Sequence, residues 1–348
     1  MTPYVSALLL WGLGTGTAIT FGSSHWLIAW MGLEINTLAI LPIMALHYHP
    51  RATEAATKYF IIQAVAAAML LFACTSNAWI SGQWTIQQNS HPLPVIGLTA
   101  ALALKIGLAP FHTWVPEVLQ GLELSTGLIM STWQKLAPFA LLLQIQPQNS
   151  SMLIVLGLTS TLIGGWGGLN QTQLRKIIAY SSISHLGWMI IALQFSPSLT
   201  LLTLIIYLIM TSAVFLMFKV YNATTINMLA ISWAKYPTIA ALTALVLLSL
   251  GGLPPLTGFM PKWMILEELT KQGLALTATL AAMSALISLY FYLRLTYALT
   301  LTMFPNVVTG ATPWRLGSLK QTLPLAFSTM MSLALLPMTP AIIALTSI

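Results

Sequence analysis

The sequence predicts an all-α polytopic membrane protein with about eleven transmembrane helices: two inverted five-helix repeats with helices 4 and 9 broken, then a carboxyl-terminal helix. Three observations lead there. First, hydrophobic residues fill 57% of the 348 positions and charged residues only 5%, against about 25% charged in a soluble domain. That is too little polar surface to cover a water-soluble globule. In lipid only helices and closed barrels satisfy their own backbone groups, and the alternation over about ten residues that marks a barrel strand is absent. Second, lysine and arginine gather at one set of helix ends. Third, two stretches 145 positions apart read nearly as copies: Gly107-Leu108-Ala109-Pro110-Phe111-His112-Thr113-Trp114-Val115-Pro116 and Gly252-Leu253-Pro254-Pro255-Leu256-Thr257-Gly258-Phe259-Met260-Pro261.

A helix needs about 20 apolar residues to cross a hydrocarbon core about 30 Å thick. Eleven such segments occur, over 3–22, 25–46, 55–80, 93–122, 124–145, 152–169, 177–194, 199–220, 237–268, 273–302 and 323–346. Only the connections 81–92, 221–236 and 303–322 are long, and none resembles a soluble domain. The chain therefore divides as one membrane domain, 1–348, into a first repeat 1–145, a second repeat 152–302, and a loop with the last helix, 303–348. Arg51, Lys58, Arg175, Lys176, Lys219, Lys235, Arg315 and Lys320 all fall at alternate ends of this series, and the opposite ends hold only Lys271. A missed or invented helix would scramble that eight-to-one split, so it supports both the count and the orientation. The amino terminus lies on the cation-rich side and the carboxyl terminus opposite.

The copies occupy the fourth and ninth segments. They stand five places apart in the series, an odd offset, so they run in opposite directions. Glycine and proline inside an apolar segment break a helix. Gly/Pro-interrupted helices in corresponding places point to an ion or substrate path.

The buried charges fall beside these breaks. At 1.5 Å rise per residue, Glu34, some ten residues into helix 2, lies about 15 Å deep. Lys105 in helix 4 and Lys135 in helix 5 are at similar depth. Lys262 follows the second break, where the first copy carries Glu117, which places it toward the cation-poor face. A charge at mid-membrane costs at least about 2.5–3.5 kcal/mol on insertion scales and usually faces a cavity or a partner. Burial disfavours a charged ammonium and a nearby carboxylate favours it, so a lysine with a movable acidic partner can take up and release protons. Moving one proton against 100 mV needs about 2.3 kcal/mol, equivalent to a swing in proton affinity of about 1.7 pH units. Each residue also has a plain alternative: structural ion pairing for Glu34, Lys105 and Lys135, and interface anchoring for Lys262.

His112, just past the first break, and His185, with Ser181, Ser182 and Ser184 within a turn, are either proton relays or packing histidines. Arg294, among Tyr290, Tyr292 and Tyr297, suits snorkelling to the interface. His25, His47, His49 and His91 read as boundary residues, and Glu117, Glu123, Glu267 and Glu268 as solvated or dipole-linked helix-end groups. Cys74 is the single cysteine and reads as packing; it can build neither a disulfide within the chain nor an iron–sulfur site. Gly164-Gly165-Trp166-Gly167-Gly168 allows close helix contact. Gly12-Leu13-Gly14-Thr15-Gly16 lacks the strand and spacing of a dinucleotide loop. No phosphate loop, metal-ligand cluster or nucleophile constellation is evident, so no cofactor is expected in this chain. The net charge of +7 implies no nucleic acid, since no basic cluster exceeds Arg175-Lys176. No cleavable signal precedes the first helix.

Four stretches carry a resemblance: Trp30-Met31-Gly32-Leu33-Glu34-Ile35-Asn36; Lys105 through Glu117; Trp133-Gln134-Lys135-Leu136-Ala137-Pro138; and Gly252 through Trp263. With them the whole chain resembles the subunit 2 group of mitochondrial NADH–ubiquinone oxidoreductase, the antiporter-like membrane subunits of respiratory complex I. The resemblance implies two inverted five-helix repeats with discontinuous helices. It also implies a proton path along a polar axis: Glu34 and Lys105 as its glutamate–lysine pair, Lys135 as the next lysine, and Lys262 on the second broken helix. Longer members carry three more amino-terminal helices, and the eleven-helix form resembles animal mitochondrial versions. Some relatives have glutamate where Lys262 stands. FMN, iron–sulfur clusters and ubiquinone are implied in other subunits. Neighbouring antiporter-like and other membrane-arm subunits are the implied partners, with phospholipids such as cardiolipin at the joints. The implied location is the mitochondrial inner membrane, amino terminus on the matrix side and carboxyl terminus on the intermembrane-space side. Two other functions share these features: a subunit of a related cation/proton antiporter, and a structural spacer whose charges only pair.

Overall fold

The computed structural model describes residues 3–46, 49–87, 91–145, 150–234, 237–301 and 322–346. Its helices are α1 (Pro3–Gly22), α2 (Trp26–Met44), α3 (Pro50–Ser81), α4 (Pro92–Ile106), α5 (Trp114–Gly121), α6 (Leu124–Ser131), α7 (Trp133–Ile145), α8 (Ser150–Gly168), α9 (Leu174–Leu193), α10 (Pro197–Tyr221), α11 (Ile226–Ile231), α12 (Pro237–Gly251), α13 (Phe259–Lys271), α14 (Ala275–Thr300), α15 (Thr322–Ala334) and α16 (Thr339–Thr346). Proline opens α3, α4 and α10, where its missing N–H costs nothing. The boundary histidines act as caps. His25 Nδ1 accepts from the Leu27 N–H and His49 Nδ1 from the Arg51 N–H, both at 3.2 Å. His91 occupies the cap position of α4 without a side-chain bond, and His47 lies outside the described residues.

Among the described residues, α1, α2, α3, α8, α9, α10 and α14 are each long and apolar enough to cross a membrane, and α15 with α16 makes an eighth candidate bent by 71°. Helix fills every predicted segment, but four are interrupted. Two interruptions, α4/α5 and α12/α13, fall at the predicted glycine–proline breaks. The other two, at Thr132 and at Leu335, lie in segments read as continuous. The Thr132 hydroxyl takes the Leu128 carbonyl at 2.7 Å, a back-bond that bends helices. Pro138, inside α7, removes a further helical donor. At Leu335 a 3₁₀ turn over Leu336–Met338 contains Pro337. The short α11 folds within the connection 221–236. Lys235, Arg315 and Lys320 lie outside the described residues.

The chain forms two compact units, Met1–Leu153 and Ile154–Ile348. In the first, α1 and α2 approach until a Cβ on Gly16 would stand 2.9 Å from the Gly32 carbonyl oxygen. In the second, α8 and α9 do the same: a Cβ on Gly187 would stand 2.7 Å from the Gly157 carbonyl. Small residues at such contacts let membrane helices pack backbone to backbone. The Gly164–Gly168 run packs likewise, Gly164 on the Ser184 backbone and Gly167 on the Tyr180 ring.

Both units also tie their loops by one antiparallel bridge. His25 pairs with Thr85 in the first unit and Gln173 with Thr225 in the second. The hydrogen bonds correspond one for one: Trp26 N–H to Trp84 O and Ile86 N–H to Ser24 O, then Leu174 N–H to Thr224 O and Ile226 N–H to Thr172 O. In each unit this joins the loop after the first helix to the loop after the third. In the second unit Trp188, Ile191, Ile265, Leu269, Ala278 and Ala281 form an apolar cluster that seats α13 against α9 and α14.

Candidate functional site

The first break builds its site from unsatisfied helix carbonyls. Gly107 takes φ 84°, where a side chain is disfavoured, and ends α4. The N–H groups of both Gly107 and Leu108 return to the Ala103 carbonyl at 2.9 Å. The carbonyls of Leu104 and Lys105 therefore lose their helical donors. Trp114 Nε1, from α5, donates to Leu104 O at 3.2 Å, and Gln63 Nε2, from α3, donates to Lys105 O at 3.3 Å. Lys105 lies in the last turn of α4, where the negative end of the helix dipole favours a cation.

Lys105 is 6% exposed. Its Nζ and Glu34 Oε2 are buried, and neither has a hydrogen-bond partner among the described residues. Glu34, half-buried on α2, acts through space on both the Lys105 ammonium and the Tyr59 hydroxyl. The predicted glutamate and lysine are thus brought into one electrostatic site without a direct contact.

Lys135, 5% exposed, lies just beyond the Thr132 interruption. The two residues before it dock the start of α7 onto the first two helices. Trp133 Nε1 donates to Leu13 O and Gln134 Nε2 to Asn36 O, each at 3.4 Å. Lys135 is thereby fixed to the part of α2 that carries Glu34. His112, half-buried between α4 and α5, has a buried Nδ1 without a hydrogen bond. Glu117, on α5, pairs with Lys58 at 2.9 Å, and Lys58 also takes Glu54 at 2.8 Å, in an exposed cluster that ties α5 to α3.

The second unit repeats the break with different chemistry. Gly252 takes φ 81°, and the N–H groups of Gly252 and Leu253 return to Leu248 O. Lys262, in the first turn of α13, reaches back so that Nζ donates to the Gly251 carbonyl at 2.8 Å. The side chain thereby caps the end of α12. Thr257, between α12 and α13, donates to the Ser332 carbonyl of α15. His185 Nε2 lies 3.5 Å from the Tyr292 hydroxyl, and its ring is 5.8 Å from that of Tyr207. The hydroxyls of Tyr207 and Tyr292 also interact with Ser182 and Ser181. Arg294 Nη1 donates to Leu169 O at 2.7 Å, so it caps the end of α8 where snorkelling was expected. Glu267 pairs with Lys271 at 2.9 Å at the end of α13.

Sequence reasoning passed over Gln63, Tyr59 and Tyr207, and gave Trp114 and Tyr292 no site role of their own. A buried amide near the middle of a membrane helix is itself a signal of a polar partner, and Gln63 had that signal. Among the described residues, no group of three or more His, Cys, Asp or Glu is placed to hold a metal ion.

Paired broken helices with buried lysines define the class of antiporter-like membrane subunits, and comparison with known proteins agrees. Residues 23–288 match the family described as NADH:quinone oxidoreductase/Mrp antiporter, transmembrane, and residues 289–343 match the NADH dehydrogenase subunit 2 C-terminus. A curated relative, NADH-ubiquinone oxidoreductase chain 2 of Tetraodon nigroviridis, is 69% identical over 348 residues, covering 100% of both chains. A chain of respiratory complex I from Thermus thermophilus superposes with a TM-score of 0.89 at 27% identity, covering 99% of this chain and 80% of that one. A chain of the Mrp complex from a Dietzia species shares the fold at a TM-score of 0.83 and 16% identity, over 97% of this chain and 76% of that one. The chain belongs to the chain 2 family of NADH–ubiquinone oxidoreductase.

Proposed function

We propose that this chain is a core membrane-arm subunit of the proton-pumping NADH:ubiquinone oxidoreductase that carries its own proton path along Glu34, Lys105, Lys135 and Lys262. The observation that carries the reading is the proximity of buried Lys105 to half-buried Glu34, each with a buried polar atom that has no hydrogen-bond partner among the described residues. Such a pair is costly as scaffold but useful as a proton site, because a carboxylate near a buried ammonium favours its charged form. His112 and His185 act as relays in this reading. The Lys262 cap adds a link to structure: the ammonium favours the carbonyl end of α12 while charged, so loss of its proton weakens the second break.

The reading includes the finer architecture. Eleven spans form two inverted repeats, 1–145 and 152–302, followed by the last helix. The matched bridges support it. The first lies in sequence regions 1–50 and 59–104, which contain no lysine or arginine; the second is flanked by Arg175, Lys176 and Lys219. The same loop pair thus lies in cation-free sequence in one repeat and beside cations in the other, as inversion requires. FMN, iron–sulfur clusters and ubiquinone belong to other subunits, and phospholipids such as cardiolipin fill the joints with neighbouring membrane-arm chains. The protein resides in the mitochondrial inner membrane, amino terminus in the matrix and carboxyl terminus facing the intermembrane space.

Lys105→Met in the assembled complex tests the path. The expected result is normal complex abundance with proton translocation per NADH oxidised strongly reduced. Full translocation in that variant removes Lys105 from the mechanism and leaves the spacer function in its place.

A further inference from the structure

The end of α4 is held by a side chain from another helix. Gln63 sits within α3 at 4% exposure, with Ala66 and Ala67 a turn further on. An amide buried in such surroundings is costly unless hydrogen-bonded. Its Nε2 spends that bond on the backbone carbonyl of Lys105. Tyr59 stands four residues earlier, on the same face of α3. It is fully buried, its ring lies 5.8 Å from that of Trp114, and it feels the charge of Glu34. Trp114 fills the neighbouring Leu104 carbonyl. One face of α3 thus braces the broken helix twice, with Tyr59 packed on Trp114 and Gln63 bonded to the backbone of Lys105.

We propose that Gln63 is a positioning residue for Lys105: its amide fixes the last turn of α4 and thereby sets the separation and direction between the Lys105 ammonium and the Glu34 carboxylate. This rests on the reading of that pair as part of the proton path. The break has removed the helical donors to two consecutive carbonyls, and among the described residues one side chain from α5 and one from α3 replace them. Without Gln63 the turn that carries Lys105 keeps Trp114 as its side-chain donor from another helix among the described residues. The lysine is then free to rotate about that anchor, and a displacement of about 1 Å is enough to cost a large factor in a geometry-dependent transfer.

The test compares assembled complexes carrying Gln63→Met, Gln63→His, Lys105→Met, and Gln63→Met with Lys105→Met. Methionine keeps the length of the side chain and removes the donor; histidine keeps a ring N–H. We expect Gln63→Met to assemble normally and to lose roughly three- to tenfold in protons moved per NADH oxidised. Gln63→His recovers most of that loss, and Gln63→Met adds nothing to Lys105→Met. Normal pumping by Gln63→Met overturns the proposal, and so does a further loss in the double variant, which marks a packing role. If Gln63→Met fails to assemble, Gln63→His decides: assembly with near-normal pumping supports the proposal, and a failure matching that of methionine overturns it. Normal pumping by Lys105→Met instead removes the underlying path. A deficient Lys105→Met beside a normal Gln63→Met removes only the role of Gln63.

Discussion

The two broken helices end alike and are finished differently. Both stop at a glycine of positive φ whose following residue bonds back to the last turn. At the first, Trp114 and Gln63 satisfy the freed carbonyls, and the Lys105 ammonium is left with no hydrogen bond among the described residues. At the second, the lysine itself is the donor, through Lys262 Nζ to Gly251 O. Two related stretches therefore separate two jobs. In the first the ionisable group is spared structural duty, and in the second charge and helix end are one interaction. The sequence shift that does this is small. The lysine moves from two residues before the glycine to ten residues after it.

That contrast can be broken in several ways. The largest effect is expected at the glycines. A Cβ on Gly107 would stand 2.3 Å from Val115 Cγ2, and the left-handed backbone adds about 1–2 kcal/mol. The nearest atoms to a Cβ on Gly252, whose backbone is equally left-handed, belong to the flexible Lys262 side chain, 2.9 Å away at Nζ. Gly107→Ala should therefore abolish assembly, while Gly252→Ala assembles in part and displaces Lys262; quantified complex from solubilised membranes checks the order. Next come the lysines. Lys262→Met leaves the Gly251 carbonyl without its donor, at a cost of about 1–3 kcal/mol, and should lower thermal stability of the complex. Lys105→Met removes a buried ammonium that no hydrogen bond holds among the described residues and should leave stability unchanged or raised while pumping falls. Equal melting of the two variants would erase the distinction between the breaks. Trp114→Phe keeps the ring packing on Tyr59 but orphans the Leu104 carbonyl, again at about 1–3 kcal/mol, and should resemble Lys262→Met in melting. The smallest change is expected for Glu117→Gln, which loosens a solvent-exposed pair with Lys58. It should be detectable only as weaker salt dependence of stability.

What the sequence revealed follows from what is local. Apolar runs and the Gly–Pro stretches located most helices and both principal breaks, because hydrophobic length and backbone restriction are properties of a few adjacent residues. The Thr132 interruption was not legible, since it arises from a hydroxyl choosing its own backbone within an apolar run. The bend at Leu335 was masked by the same apolar count, although Pro337 and Pro340 stand there. The matched bridges at His25–Thr85 and Gln173–Thr225 join residues far apart in the chain and have no local pattern. At the site, depth alone singled out Glu34, Lys105 and Lys135. The caps made by Gln63, Lys262 and Arg294 were not foreseen, because they depend on which carbonyls the breaks set free.

The central claim is that Glu34 and Lys105 work as one coupled proton site. A double-mutant cycle on proton translocation per NADH oxidised, using Glu34→Gln, Lys105→Met and the pair together in assembled complex, tests it most directly. The account predicts that the double variant pumps no worse than Lys105→Met alone. Losses that simply multiply, or a Glu34→Gln variant that pumps normally, would contradict it.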